Sequence, residues 1–385
     1  MKIGIDLRPI VKTRVGGIPE YLICLLDALF KIDDKNEYLL FYNGLKKLPL
    51  DFWWRKKRNV KIFDFKIPNK IFDVLNFLGL IKIEDFLGKI DVFLSCHFNL
   101  IKSQAPSVII FHDLSFFHFK RFFSWQEKIW HFLQKPRESA QKAQKIIAVS
   151  SFTKKDLIRS FDIPEEKIEV VYSGINPVFF EKIDKDFTQK IKNKYQLPKK
   201  FFLYLGAIQR RKNVLSLIKA FLWLKKNPRY KDFYLVIVGP KGAFFEEIEK
   251  FLENKEEREF IKFYPPITSK EKVCFYKLSE VLIYPSFFEG FGFPPLEAAS
   301  LGKPVIVGAR SALTEISGDF AILVNPNKEE EISLALEKIL EEKDLKKFLK
   351  NKGKKMASKF RWEKTAKKIL EILEKIHLQQ KGISL

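Results

Sequence analysis

Two glutamates eight positions apart bracket a glycine-rich turn in the second half of the chain. Glu289 precedes Gly290 and Gly292, and Glu297 falls in the helix that we expect to follow. Glycine permits a tight turn whose backbone N–H groups can face an anion, and carboxylates accept hydrogen bonds from the hydroxyl groups of sugars and ribose. We therefore predict that both carboxylates line one ligand pocket at different depths. The alternative is a glycine-rich helix entry with two ordinary surface glutamates.

Three consecutive cations form the second chemical feature. Arg210, Arg211 and Lys212 follow Gly206, between a predicted strand and a predicted helix. Positive charge at a helix N-terminus opposes the helix dipole, whereas a bound diphosphate would gain from both the cations and the dipole. We therefore predict a diphosphate site here rather than a merely basic helix start.

Two weaker features lie in the first half of the chain. His112 and Asp113 follow an apolar segment, and such a pair suits a site at the end of a strand. The alternative is a structural histidine with a helix cap by Asp113. Gly16 and Gly17 follow Val15 and precede a helical pattern, so they make a loop that a phosphate could approach. This loop lacks the GxGxxG spacing of dinucleotide-binding proteins.

Short apolar segments alternate with longer amphipathic ones along the whole chain. We predict strands at Lys2–Asp6, Tyr38–Tyr42, Asp91–Ser95, Ser107–Phe111, Lys145–Val149, 168–171, Phe201–Leu205, Phe233–Val238, Phe260–Phe263, Val281–Tyr284, Val305–Val307 and Ala321–Val324. We predict helices over 18–32, 213–226, 243–255, 270–279, 294–301, 328–340 and 361–378. This rhythm predicts an α/β protein with parallel sheets covered by helices on both faces.

The rhythm is interrupted once, which predicts two domains. We expect doubly wound, Rossmann-like domains over residues 1–175 and 201–358, joined by a connector over 176–200 and followed by a terminal helix over 359–385. Two such domains facing each other would leave a central cleft at the carboxyl ends of their strands, where sheets of this kind bind ligands.

The chain is strongly basic. Its 70 Lys and Arg exceed its 47 Asp and Glu, giving a formal net charge of +23, which favours polyanionic partners. One cluster, residues 46–70, combines cations with Phe52, Trp53 and Trp54. It is either a solvated loop or a contact with an anionic membrane surface. For a second aromatic stretch, residues 116–130, we favour ordinary helix packing. No nucleic-acid-binding module is recognisable, so we do not expect a nucleic-acid partner.

Cysteine usage and hydropathy indicate the cellular compartment of the protein. The three cysteines, Cys24, Cys96 and Cys274, have no metal-ligand or disulfide spacing, which favours a reducing compartment. We see neither a signal peptide nor an uncharged run of the ~20 residues that span a bilayer. We therefore expect a cytoplasmic protein, peripheral on the inner face of the cell membrane if the basic cluster binds lipid.

Taken together, these segments resemble family 4 of the retaining glycosyltransferases, which have the two-domain GT-B fold. The stretch from Glu289 to Glu297, EGFGFPPLE, matches the E-x7-E signature of that family. GAIQRRKN matches its phosphate segment, GGIPEY its N-terminal glycine loop, and RWEKTA its terminal helix, which crosses back onto the N-terminal domain. HDLSF matches a segment common in its mannosyltransferase- and rhamnosyltransferase-like branch. The resemblance covers nearly the whole chain.

The resemblance implies that the C-terminal domain binds a nucleotide-sugar donor and the N-terminal domain an acceptor. Glu289 would hold the sugar hydroxyls, and Glu297 would bind the ribose. Lys212 with Arg211 would neutralise the diphosphate. The backbone groups expected beside these side chains are those of Gly290, Phe291 and Gly292 around the sugar, and of Gly16 and Gly17 at the phosphates.

Two further points of the resemblance concern the reacting centre. His112, with Asp113 beside it, would contact the transferred sugar or the acceptor. Many family members have Arg directly after the strand-ending glycine, here Gly206, where this chain has Ala207. Either Arg210 or Arg211 would replace it, and the sequence leaves both open.

The reaction implied is metal-independent transfer with retention of the anomeric configuration, without a cofactor. The departing phosphate oxygen would take the acceptor proton while cations stabilise the leaving group. A D-x-D tripeptide, Asp184-Lys185-Asp186, lies in the charged connector, and we interpret it as a solvated charge run rather than a metal site.

We expect a hexosyltransferase that moves a sugar, with mannose favoured and GDP-mannose the favoured donor, to a saccharide or lipid-linked acceptor. The product would belong to a cell-surface polysaccharide or glycolipid. The alternatives are a basic nucleic-acid-binding protein and another GT-B enzyme, such as a nucleotide-sugar epimerase or a phosphorylase.

Overall fold

The chain folds into two compact units. The structure, a computed structural model, describes residues 1–10, 16–45, 52–99, 101–242 and 244–383. The first unit consists of Met1–Gly174 together with Arg361–Leu385, and the second of Ile175–Phe360. Each unit has its own parallel sheet and its own buried core.

The sheet of the first unit is entirely parallel. Its strands are β1 (Lys2–Asp6), β2 (Glu37–Asn43), β3 (Val60–Phe65), β4 (Val92–Ser95), β5 (Ser107–Phe111), β6 (Lys145–Ala148) and β7 (Ile168–Val170). They lie in the order β3-β2-β1-β4-β5-β6-β7, with Ile5 of β1 beside Leu40 on one side and Leu94 on the other. The central strands are apolar and buried on both faces, as expected for a sheet covered by helices.

Helices connect these strands. They are α1 (Gly17–Ile32), α2 (Asn69–Leu78), α3 (Glu84–Leu87), α4 (Ser115–His118), α5 (Trp125–Gln134), α6 (Pro136–Lys142), α7 (Ser151–Phe161) and, from the end of the chain, α16 (Trp362–Gln380). Short 3-10 helices lie at Arg8–Ile10, Trp53–Lys56, Lys120–Phe122 and Glu165–Lys167.

The last helix, α16, packs against α1 within the first unit. The ring of Trp362 meets that of Tyr21 edge-on at 5.0 Å, and the Thr365 hydroxyl donates to the backbone oxygen of Tyr172 at 2.7 Å. Gly174 allows this close approach, because a Cβ at that position would lie 2.3 Å from the backbone nitrogen of Trp362.

The second unit repeats the same construction. Its strands are β8 (Phe201–Leu205), β9 (Tyr234–Val238), β10 (Ile261–Tyr264), β11 (Val281–Tyr284), β12 (Val305–Gly308) and β13 (Ile322–Val324). They are parallel and lie in the order β10-β9-β8-β11-β12-β13. The helices are α8 (Lys185–Lys194), α9 (Val214–Lys225), α10 (Phe245–Leu252), α11 (Ser269–Leu278), α12 (Phe293–Ser300), α13 (Ala312–Ser317), α14 (Glu329–Glu341) and α15 (Lys343–Ala357), with 3-10 helices at Pro177–Phe180, Arg210–Lys212, Pro228–Tyr230 and Glu256–Phe260.

The predicted fold class, two doubly wound Rossmann-like units, is confirmed. Several elements were not predicted. The edge strand β3 lies inside the basic cluster, and the helices α2–α7, α13 and α15 have no counterpart among the predicted helix ranges. Residues 176–200, which we expected as a connector, belong to the second unit and include α8.

The aromatic residues of the 46–70 cluster are largely used in packing. Residues 46–51 lie outside the described residues. Trp54 is fully buried, with Phe52 stacked on its ring at 4.7 Å, and the Trp53 indole donates to Asp27 at 3.1 Å. Lys57 pairs with Asp34. This segment therefore presents far less aromatic surface than its sequence suggests.

A helix that crosses a bilayer must be long and apolar. Within the described ranges, none is both long enough and apolar enough to cross a bilayer.

A Gly174→Ala substitution should destabilise the first unit, because the new methyl group meets backbone rather than a flexible side chain. Overpacking of this kind costs about 1–3 kcal/mol, which urea denaturation would measure. Gly17→Ala is the matched control, since no atom lies within 4 Å of a Cβ placed there. Equal effects of the two substitutions would contradict the packing that we describe.

Candidate active site

The second sheet reverses its strand order between β8 and β11. To one side of this point the chain adds β9 and β10, and to the other β12 and β13. The loops that follow β8 and β11 therefore diverge and leave a crevice at the carboxyl edge of the sheet, where ligands of doubly wound sheets bind. The segment 206–213 follows β8 and the segment 285–292 follows β11, so the two strongest sequence motifs flank one crevice.

A buried ion pair joins these two segments. The ammonium group of Lys212 contacts the Glu289 carboxylate, and both side chains are over nine-tenths buried. Lys212 also donates to the hydroxyl of Tyr284, the last residue of β11, at 2.8 Å. The Lys212 ammonium thus links its own loop to the loop that carries Glu289 and to the end of β11.

The structure distinguishes the two arginines. The Arg211 guanidinium donates to the backbone oxygen of Phe288 at 3.0 Å and lies 3.6 Å from the Glu289 carboxylate, with its side chain 18% exposed. Arg210 instead pairs with Glu247 of α10 and is 46% exposed. Arg211 therefore belongs to the buried cluster, whereas Arg210 faces a different neighbour.

The charge state of the cluster follows from its surroundings. Burial alone would raise the pKa of Glu289, but Lys212 and Arg211 outweigh burial and hold that pKa below its ordinary value. Burial raises the pKa of Tyr284, so its phenol stays neutral. Two cations and one carboxylate leave the cluster with a net charge of +1 beside the crevice, a charge that an anionic ligand would neutralise.

The turn after Glu289 leads directly into α12. Gly292 precedes the helix with φ +103°, a conformation that favours glycine, and an added Cβ there would lie 2.8 Å from Leu313. Phe291 is buried against Phe293 and Phe360. The turn is held from outside by Ser311, whose hydroxyl accepts the Glu289 backbone N–H at 2.9 Å.

Glu297 occupies the second turn of α12 and is buried. Its carboxylate accepts a hydrogen bond from the Tyr276 hydroxyl at 2.7 Å and lies 3.7 Å from the ammonium of Lys272. Both partners belong to α11. The two glutamates of the motif are thus both buried, and each is held by a different set of partners. The role of Glu297 toward ribose stays a prediction.

Asn213 supports this site, a role that its sequence motif did not predict. Asn213 adopts φ +59° before α9, and its amide donates to the backbone oxygens of Pro285 at 3.2 Å and Pro326 at 2.5 Å. It therefore fastens the β8 loop to two others. An asparagine before a helix is the kind of signal that could have identified it, since asparagine tolerates the left-handed region.

In the first unit, the predicted residues lie at the corresponding edge of the sheet. Gly16 and Gly17 stand at the N-terminus of α1 and are exposed. His112 follows β5, and its Nε2 lies 3.0 Å from the Cys96 backbone oxygen. Because a carbonyl only accepts, the Nε2 carries the proton and the neutral ring keeps its lone pair on Nδ1. Burial lowers the pKa of His112, which favours this neutral form.

Asp113 has a local structural contact. Its carboxylate accepts the Ser115 backbone N–H at 2.8 Å, at the start of α4. This contact with the backbone just before α4 is a local structural role similar to the cap that we gave as the alternative to a catalytic pair. A direct catalytic role of Asp113 stays a prediction.

Sequence reasoning missed a polar group at the order reversal of the first sheet, between β1 and β4. Arg8 forms a two-point contact with Asp6 and donates to the Asn99 backbone oxygen at 2.6 Å. His97 lies beside Asn99, and burial together with nearby His112 lowers the pKa of His97 to about 3. The position of these residues just after predicted strands was the available signal.

The D-x-D tripeptide has a structural explanation. The Asp184 side chain accepts the Asp186 backbone N–H at 3.2 Å and caps α8. Over the described part of the chain, no cluster of three or more His, Cys, Asp or Glu side chains has a geometry that could hold a metal.

Fold and site together define a two-unit α/β protein whose second unit carries a buried charged cluster at the order reversal of its parallel sheet. The family model "Glycosyltransferase Family 4" matches residues 15–179, and the model "Glycosyl transferases group 1" matches residues 185–356. The two matches cover most of both units. The chain belongs to the family 4 glycosyltransferases, as its motifs predicted.

Individual relatives give the same classification. O-antigen chain mannosyltransferase B of Escherichia coli is 28% identical over 273 residues, covering 69% of this chain and 70% of that protein. The serotype-specific mannosyltransferase WbdA of Escherichia coli is 30% identical over 231 residues, covering 59% of this chain but only 28% of WbdA. Sucrose-phosphate synthase from Thermosynechococcus elongatus shares the GT-B fold, with a TM-score of 0.76, 17% identity and coverage of 97% of this chain and 98% of that one.

The Lys212–Glu289 pair should make stability depend on both partners and on pH. Replacing one partner, as in Glu289→Gln or Lys212→Met, leaves the other buried without its opposite charge. The free energy of unfolding in urea at pH 7 should therefore fall by about 3–5 kcal/mol. Because the folded pKa of Glu289 is lowered, its contribution is present above the ordinary carboxyl pKa and is lost as the pH falls through the folded pKa. Glu289→Gln should therefore weaken the acid dependence of stability.

The exposed pair Arg210–Glu247 provides the control. Glu247→Gln should change the free energy of unfolding by less than about 1 kcal/mol, because solvent screens this pair. Equal changes in the free energy of unfolding for Glu247→Gln and Glu289→Gln would contradict the stabilising role that we give to the buried pair.

Proposed function

We propose that the protein is a retaining glycosyltransferase that moves a mannosyl group from a nucleoside-diphosphate donor to a saccharide or lipid-linked saccharide acceptor. The observation that carries the proposal is the Arg211–Lys212–Glu289 cluster at the order reversal of the second sheet. Its net positive charge suits a diphosphate, and its carboxylate suits sugar hydroxyls. Family membership favours this transferase over the nucleic-acid-binding alternative.

The donor assignment rests on the chemistry of the second unit. Arg211 presents a planar fork of donors that matches phosphate oxygens, and Lys212 supplies a point charge already fixed by Glu289 and Tyr284. The α12 N-terminus beside Gly292 adds the positive end of its helix dipole at the same edge of the sheet; Pro294 and Pro295 have no backbone N–H, so Phe293 is the one donor among its first three residues. GDP-mannose is the donor we favour, because both relatives described above are named mannosyltransferases.

The reaction step needs no protein nucleophile. The bond between the anomeric carbon and the phosphate oxygen breaks, the acceptor oxygen bonds to the same face of that carbon, and the acceptor proton passes to the departing phosphate. Arg211 and Lys212 stabilise the charge that develops on this leaving group, a role that a divalent ion fills in other enzymes. We therefore propose a metal-independent reaction.

The first unit supplies the acceptor side of the proposal. His112, neutral and with a lone pair on Nδ1, can accept a hydrogen bond from a sugar hydroxyl. Gly16 and Gly17 of this unit are not part of the acceptor side; they keep their predicted role toward the donor phosphates, which an exposed helix N-terminus suits. The product we propose is a cell-surface polysaccharide or glycolipid, in keeping with the O-antigen relative.

Nucleotide binding tests the proposal first. GDP, UDP, ADP and dTDP are each added to the purified protein, and unfolding is followed. We expect one of them, GDP by our proposal, to stabilise the protein by ~2.7 kcal/mol at one hundred times its dissociation constant. Glu297→Gln, which keeps the volume of the buried side chain, should reduce this effect. No stabilisation by any nucleotide at millimolar concentration would contradict the proposed donor site.

The matching sugar nucleotide is then assayed with a saccharide acceptor in the presence of EDTA. We expect undiminished transfer and a product with the anomeric configuration of the donor, read by NMR. Loss of activity with EDTA, or an inverted product, would contradict the proposed mechanism.

The two neighbouring arginines offer a matched pair of variants. Arg211→Ala should lower kcat/KM by about 100- to 1000-fold, the usual loss when one donor to a developing charge is removed. Arg210→Ala should change it by less than about fivefold, the equivalent of less than about 1 kcal/mol, because its side chain pairs with Glu247 on the exposed surface. Equal losses would show that our assignment of Arg211 to the leaving group is wrong.

A further inference from the structure

Two neighbouring helices of the first unit carry apolar side chains on their solvent side. On α2 the exposed apolar residues are Ile71, Val74 and Leu78, spaced three and four apart, while Phe72 on the same helix is buried in the core. This helix is therefore apolar on two faces. A helix that served only the core would place polar residues on its outer face.

Helix α5 repeats this pattern. Trp125, Ile129 and Phe132 are spaced four and three apart and are exposed by 67%, 50% and 71%. Trp130, on the other face, packs against the core of the unit. The packing that we expected for residues 116–130 therefore applies to Trp130 and the buried Phe116, and not to the outer face of α5.

The two exposed stripes meet near the C-terminal ends of α2 and α5. Helices α2 and α5 contact each other, and the rings of Phe77 and Phe132 lie 5.9 Å apart. We call this surface the α2–α5 face, formed by Ile71, Val74, Leu78, Trp125, Ile129 and Phe132. Contiguous apolar patches on a protein surface mark sites of interaction, unlike single exposed apolar residues.

Cations border the α2–α5 face and lie along neighbouring aromatic rings; Glu127 of α5 is also exposed. The ammonium of Lys135 is 4.1 Å from the ring centre of Phe77, and that of Lys120 is 4.8 Å from the exposed Phe117. Lys128 lies on α5 itself and is exposed. Long basic side chains can lie along apolar surface while their charged ends reach toward a polar layer.

A polar recess adjoins this face at the C-terminal ends of α2 and α5. It has a volume of about 370 Å³, and Lys82, Lys102, Lys135 and Lys142 line it, against one lining carboxylate, Glu138. Gln134 also lines it and is only 3% exposed; both polar atoms of its amide lack a hydrogen-bond partner among the described residues. Such an arrangement suits an anion that brings its own hydrogen-bond acceptors and donors.

We propose that the α2–α5 face docks on an anionic lipid bilayer, with a lipid phosphate in the adjoining recess. Aliphatic side chains such as Ile71 and Leu78 cannot stack on nucleic-acid bases but are favoured in hydrocarbon. A second copy of the chain would bring the same cations into contact with each other and be repelled. A bilayer with negative headgroups above hydrocarbon complements both the cations and the apolar residues. This docking is independent of the donor site proposed above.

Co-sedimentation with vesicles tests the proposal on the full chain. We expect binding to vesicles of phosphatidylcholine with one-third phosphatidylglycerol, weak binding to phosphatidylcholine alone, and a decrease with salt. Trp125→Ser/Phe132→Ser should lower the partition coefficient at least tenfold. The matched control is Trp223→Ser, an exposed tryptophan on α9 of the second unit, which should leave binding unchanged.

A second pair of variants separates charge from apolar contact. Lys128→Gln/Lys135→Gln should lower binding to anionic vesicles at least fivefold, whereas Lys364→Gln/Lys367→Gln on α16 removes equal charge elsewhere in the unit and should have less than a twofold effect. Equal losses in the two double variants would mean that the whole basic surface binds non-specifically, and would overturn the proposal.

Two further measurements complete the test. Stabilisation by nucleotide should persist in all four of these variants, which separates this proposal from the donor site of the second unit. Unchanged circular dichroism and urea unfolding should show that the first unit is still folded in the variants that change it. Trp125→Phe should remove part of the blue shift in tryptophan emission that accompanies vesicle binding. The proposal is overturned if Trp125→Ser/Phe132→Ser binds vesicles as the wild type does, if this variant instead abolishes a dimer, or if it abolishes binding to single-stranded nucleic acid and not to vesicles.

Discussion

The ion pair between Lys212 and Glu289 is the contact on which the candidate active site depends. Two buried charges lose their hydration, and only a close partner compensates for that loss. Each residue therefore fixes the loop that carries the other, and both loops follow adjacent strands of a parallel sheet. Because Tyr284 ends one of these strands and its hydroxyl oxygen accepts a hydrogen bond from the same ammonium, the ion pair ties the sheet to both loops. Arg211 is then held at the edge of that arrangement, and the cluster as a whole keeps a net charge of +1.

The parallel topology explains why motifs far apart in sequence become one site. Strand order reverses once in each sheet, and at that point the following loops separate. Any catalytic group that needs two independent anchors is best placed there, since each anchor comes from a different strand. The second unit uses this point for Lys212 and Glu289, and the first unit for Asp6 and Arg8. A buried, charge-paired group at both reversals shows that the same geometrical constraint operates twice in the chain.

The fold class and the principal residues of the site could be predicted because they depend on local sequence and on a general property of parallel sheets. Strands without polar interruption, such as β5, are recognised from composition alone, and their carboxyl ends must meet. Strand β3 could not be recognised in this way, since it is an edge strand with charged residues such as Lys61 inside a basic segment. The sequence also could not show which of Arg210 and Arg211 lies in the buried cluster. They are consecutive residues of one 3-10 turn, so their side chains point about 120° apart, and no spacing rule reports which of them points inward.

Burial decides what each basic or aromatic residue contributes, and sequence alone reports burial poorly. Trp54 and Trp125 stand in similarly basic, aromatic surroundings, but Trp54 completes the core whereas Trp125 is exposed. The same contrast holds for lysines, because Lys212 is essential to its loop while Lys128 contributes little to folding. An exposed tryptophan beside exposed lysines adds almost nothing to the free energy of unfolding and exposes apolar area to water. Stability therefore does not explain the composition of the α2–α5 face, and an interaction that removes this apolar area from water does.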